Sequence, residues 1–127
     1  MLGAAAEKYC AATDPKQFLG WAAIPVSLWR YRLGDQARAT AWCHRGLDEK
    51  NKTTALCATL RVILAMSCSR SGQADEARSQ LGQAREIIED KFQRGLERGD
   101  NAMGYWYDWV FARLLLREAT AMIDKPS

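Results

Sequence analysis

Tyr31-Arg32-Leu33-Gly34-Asp35-Gln36-Ala37-Arg38-Ala39 and Ser69-Arg70-Ser71-Gly72-Gln73-Ala74-Asp75-Glu76-Ala77 are two versions of one phrase, set 38 residues apart. Arginine, glycine and alanine recur at matching places: Arg32 with Arg70, Gly34 with Gly72, Ala39 with Ala77. Helix-forming residues flank each glycine. A glycine in that setting supplies the left-handed backbone that closes one helix before the next begins. A period of this length predicts helix pairs stacked on one another and argues against a compact enzyme fold.

The residues outside the phrase extend it into two helix pairs. The first pair covers 16–50 and turns at Gly34. The Ala-rich stretch before it, within 1–15, is read as a helical remnant ended by Asp14-Pro15, because the residue before proline avoids helical geometry. Pro25 cannot return a hydrogen bond to Trp21, so the first helix either kinks there or starts near it. Glu49 to Thr54 is a polar connector. The second pair covers 54–98, with Leu56, Leu60, Ile63, Leu64 and Cys68 at helical spacing before Gly72 and a long helix after it, reaching Arg98. Gly99-Asp100-Asn101 is read as the end of that helix and a cap for the next. A closing helix within 104–124 is apolar over more than half its circumference, so it must pack on two sides and still leaves one face available.

The 127 residues are read as a single domain, 1–127, long enough to bury a core. Apolar residues make up 48% and charged residues 26%, which argues against disorder. The net charge of +3 is spread over 18 basic and 15 acidic residues, unlike the concentrated basic patch of a nucleic-acid binder. No apolar run approaches the roughly 20 residues of a membrane span. The start, Met1 to Lys8, lacks the pattern of a signal peptide, so the expected location is cytoplasmic. Cys10, Cys43, Cys57 and Cys68 have no metal-ligand spacing, and His44 is the lone histidine. No metal site or cofactor is expected. Cys43 and His44, being adjacent on a helix, point about 100° apart, which favours a surface histidine beside a buried cysteine over nucleophilic chemistry. Asp108 is read as a helix cap rather than a site carboxylate. With no acid/base pair, oxyanion donors or phosphate cradle, an enzyme is not expected.

Small residues stand at matching places in both pairs: Ser27, Ala39 and Gly46 in the first, Ala65, Ala77 and Ala84 in the second. Close approach of two helix backbones leaves no room there for a larger side chain. Val26, Leu64 and Leu81 take the bulky places. This pattern resembles the tetratricopeptide repeat (TPR), a helix pair of about 34 residues. The family's early tryptophan falls on Ala23 and Arg61, its tyrosine on Arg30 and Cys68, and its closing proline on Asn51 and Glu89, as in a divergent relative. The order Tyr31-Arg32-Leu33-Gly34, Ser71-Gly72-Gln73-Ala74, then Trp106-Tyr107-Asp108-Trp109 also resembles the carboxy-terminal repeat region of large bacterial multidomain proteins. Some of those carry a Ser/Thr kinase domain, of which no catalytic motif is present here.

The resemblance implies an all-α fold: antiparallel helix pairs stacked as a short right-handed solenoid with a closing carboxy-terminal helix. It also implies a non-catalytic protein–protein interaction module that binds a peptide or partner helix on its concave face. The partner-binding residues so implied are Trp21, Leu28, Tyr31 and Arg32 on the first helix, Val62, Met66 and Arg70 on the third, and Trp109, Arg113 and Arg117 on the closing helix. A mixture of aromatics and arginines is typical of interaction hot spots. The partner is a protein or peptide, with no nucleic acid and no membrane, and the apolar closing helix predicts self-association. Two alternatives stay open. One is a regulatory or structural segment of a larger bacterial signalling protein. The other is a helical-repeat RNA binder, which would require an ordered polar code on the first helices, where this chain is largely apolar.

Overall fold

Both glycines of the repeated phrase adopt the left-handed backbone, Gly34 at φ +87° and Gly72 at φ +80°. The turns around them are built alike. Gly34 N–H donates to the Tyr31 carbonyl at 3.0 Å and Asp35 N–H to the Arg30 carbonyl at 2.9 Å. Gly72 N–H donates to Ser69 at 3.2 Å and Gln73 N–H to Cys68 at 2.9 Å. These are the paired bonds of a Schellman motif, which satisfies carbonyls left over at a helix end. The repetition in the sequence is therefore a repetition in backbone geometry.

The computed structural model describes residues 4–8, 22–49, 53–95 and 106–124, and among these the secondary structure is helical, with no strand. A short helical stretch at 4–8 precedes α1 (Ala23–Arg32), α2 (Gln36–Leu47), α3 (Thr54–Arg70), α4 (Ala74–Arg94) and α5 (Trp106–Ile123). The Asp35 side chain caps α2 by accepting from Arg38 N–H, and Thr53 caps α3 by accepting from Leu56 N–H. Pro25 lies in the first turn of α1, where a missing N–H leaves no helical bond unmade, so the helix starts near the proline. The fourth helix ends at Arg94, short of the expected Arg98, because Gly95 turns left-handed at φ +94°. The expected stop at 99–101 falls outside the described residues, as do the connector residues 50–52 and the Asp14-Pro15 break.

Each of the five helices packs on the next, and α3 also packs on both α1 and α5. Covered by all four of the others, α3 buries twelve of its seventeen residues. The neighbouring helices bury one stripe each, such as Ala39, Cys43 and Gly46 on α2. All six small residues of the paired pattern are buried. The Ser67 hydroxyl on α3 lies 3.0 Å from that of Thr40 and 3.1 Å from the Gln36 carbonyl, giving the α2–α3 contact a polar register. The 4–8 stretch is tied to the first pair through Glu7, which pairs with Arg30 and accepts from Trp42 Nε1 at 3.2 Å. Among the described residues no helix is long and apolar enough to cross a membrane.

Candidate interaction surface

The ten residues implied as partner-binding separate into distinct environments. Val62, Met66 and Trp109 have no exposed surface and belong to the core, so the expectation that they face a partner is corrected. The cause is the coverage of α3 and of the inner side of α5 by neighbouring helices. Leu28 is half-buried against the same core. Trp21 lies outside the described residues.

Tyr31, Arg32 and Arg70 do come together, near the carboxy-terminal ends of α1 and α3. The guanidinium carbons of Arg32 and Arg70 each stand 5.8 Å from the Tyr31 ring centroid, within cation–π range. The three residues border a hollow of about 220 Å³ with Gly34 and Gln36. Tyr31 itself is buried, and its hydroxyl donates to Met122 Sδ at 3.3 Å. Arg32 is already engaged, because its two terminal nitrogens reach the Glu118 carboxylate at 2.6 and 2.8 Å. That two-point contact favours the charged guanidinium and directs two of its five N–H donors to α5. Glu118 and Met122 were not foreseen as part of this cluster. They lie on a flank of α5 whose direction is set by its packing on α3.

The other two arginines open elsewhere. Arg113 and Arg117 border a larger cleft of about 890 Å³ between α4 and α5, with Ile88, Phe92 and Leu116 among its apolar side chains. Arg113 stacks over Phe92, 4.3 Å from the ring centroid. On the opposite wall Arg85 is neutralised by Asp124 and reaches the Thr120 hydroxyl at 3.2 Å. Beside the cleft, the outer face of α5 exposes Trp106, Tyr107, Val110, Phe111 and Leu114. Trp106 and Leu114 keep 61% and 58% of their surface open to water, so they form a true apolar face rather than a core edge. It is the side of α5 left over once Trp109, Ala112, Leu116 and Ala119 turn inward.

Cys43 is buried and its neighbour His44 exposed. Burial pushes the Cys43 thiol up to about 12, far from a reactive thiolate. Asp108 stands in the first turn of α5, where a carboxylate complements the helix dipole. Among the described residues no three His, Cys, Asp or Glu side chains converge on a metal position. Comparison of the chain with protein-family profiles, curated proteins and solved structures gives no match.

Proposed function

We propose that this chain is a non-catalytic protein–protein interaction module of the TPR-like kind, a short stack of helix pairs closed by α5, which receives a peptide or partner helix. Two matching Schellman turns, six buried small residues and the order of helix packing support the stacked-pair reading. The observation that carries the function is the exposed apolar face of α5 beside the α4–α5 cleft. Contiguous apolar surface of this kind on a small domain marks a place where another macromolecule docks. The docking surface is therefore put on α5 and the cleft, rather than on the row of first helices. There the core takes Val62 and Met66, and Glu118 occupies Arg32.

The test is capture of partners from a native lysate by three proteins matched for melting temperature: wild type, Leu114→Asp, and the pair Arg32→Ala/Arg70→Ala. Loss of the same partners with Leu114→Asp, and their retention by the arginine pair, is the expected result. Retention by Leu114→Asp with loss by the arginine pair would return the site to the first helices. If wild type captures nothing that Leu114→Asp does not, the docking role of α5 fails.

A further inference from the structure

The outer face of α5 changes character along its length. Trp106, Val110 and Leu114 follow one another at four-residue spacing and form an exposed apolar stripe. Arg113 and Arg117 then continue the surface into the cleft. Both arginines are exposed, and neither is ion-paired with another described residue. Arg113 is held by Phe92 through its face, which leaves its N–H edge free for an acceptor. Arg85 across the cleft is satisfied by Asp124, and of the two carboxylates among the described lining residues Glu89 has no arginine of its own. The cleft thus has an apolar floor and a net positive wall.

From this juxtaposition we propose that the α4–α5 cleft and the outer face of α5 take an amphipathic helix of a protein partner whose apolar stripe is flanked by carboxylates, which pair with Arg113 and Arg117. The inference rests on the reading of the chain as an interaction module and adds the chemistry of the partner. A helix suits the site because the stripe itself has helical spacing. From Trp106 to Arg117 it is about three turns, roughly 17 Å, so a helix laid alongside can meet each exposed side chain with one of its own. Carboxylates suit it because the guanidinium presents forked donors that match a carboxylate at two points. Apolar contact supplies the attraction, and the charges select among apolar helices.

The experiment uses two synthetic amphipathic peptides of about 18 residues, identical except that glutamates flank the leucine stripe in one and lysines in the other. Fluorescence anisotropy with the full chain should show the glutamate peptide binding wild type about tenfold or more tightly than the lysine peptide. Arg113→Glu/Arg117→Glu should reverse that preference, Arg113→Gln/Arg117→Gln should abolish it, and Leu114→Asp should lose both peptides. Melting curves close to wild type confirm that each variant is folded, and the glutamine pair serves if the glutamate pair is not. Equal binding of the two peptides, or a preference that survives loss of both arginines, overturns the proposal. Absence of peptide binding together with a wild-type dimer that Leu114→Asp disperses also overturns it, since the face then belongs to a second copy. Loss of lysate partners with Leu114→Asp but no charge preference would overturn this inference alone and leave the interaction role standing.

Discussion

Single residues in this chain carry opposite consequences from the same chemistry. Gly72 and Gly82 both have open space where a Cβ would stand, so neither substitution to alanine creates a clash. They differ in backbone. Gly72 is left-handed at φ +80°, where an L side chain is strained, and Gly72→Ala should destabilise the fold by about 1 kcal/mol. Gly82 lies on the exposed side of α4, and Gly82→Ala should stabilise by up to about 1 kcal/mol through helix propensity alone. Urea midpoints moving in opposite directions would bear this out; a shift in the same direction would not. Cys43 gives a pH signature. Burial lifts its thiol from an ordinary 9.0 to about 12, a rise partly offset by the hydrogen bond with Ser27. Between those values the unfolded chain loses the proton and the folded chain keeps it, so unfolding is increasingly favoured. Its contribution is therefore intact below about pH 9 and lost towards pH 12. The melting temperature should fall over that window, less steeply in Cys43→Ala, and a thiol reagent should label Cys43 only on unfolding.

At the scale of the element, Trp109 and Trp106 show what a helix face decides. They stand three residues apart on α5, one without exposed surface and one mostly open. Trp109→Ala should cost about 3–5 kcal/mol because it leaves a large cavity under Lys91, whose ammonium lies 5.9 Å from the ring centroid. Trp106→Ala should change stability by no more than about 0.5 kcal/mol. Comparable losses in denaturant titrations would contradict this division of the helix. The sequence could not assign these roles, for a physical reason. The apolar residues of α5 form two stripes, one through Trp109 and Leu116 and one through Trp106 and Leu114, and periodicity alone does not say which turns inward. Val62 and Met66 posed a related problem, since α3 is apolar nearly all round and has no polar side to orient it. The turns were legible because a left-handed backbone asks for glycine at one place. Small residues at helix crossings were legible for a similar reason, since size is read directly from composition. Of the candidate surface, Arg113 and Arg117, which border the α4–α5 cleft, stood out in the sequence as cations on an apolar helix, whereas nothing there set Val110 and Leu114 apart from the other apolar residues of α5.

For the whole molecule, one carboxylate ties the 4–8 stretch to the first helix pair. The Arg30 guanidinium, aided by Trp42, holds the Glu7 carboxyl below its ordinary value of 4.5, against the opposing effect of partial burial. A depressed carboxyl contributes stability above its unfolded pKa and loses it as pH falls through the folded value. Glu7→Gln should therefore melt below wild type at neutral pH, with the difference closing at pH values under about 4. A gap that stayed constant down to low pH would show that Glu7 acts by packing instead. The order in which helices meet has a bearing on how fast the chain finds its shape. The principal packing partners stand one or two places apart along the chain, so most contacts form by closing short loops, and proteins of that kind fold on microsecond to millisecond timescales. Among the described residues, ties such as Arg32 to Glu118 and Tyr31 to Met122 reach across most of the sequence. Assembly should start around α3 and spread outward, with the clasp between α1 and α5 fastened last. Backbone amides of α3 should exchange slowest with deuterated water, and those of α5 beyond Glu118 should open first.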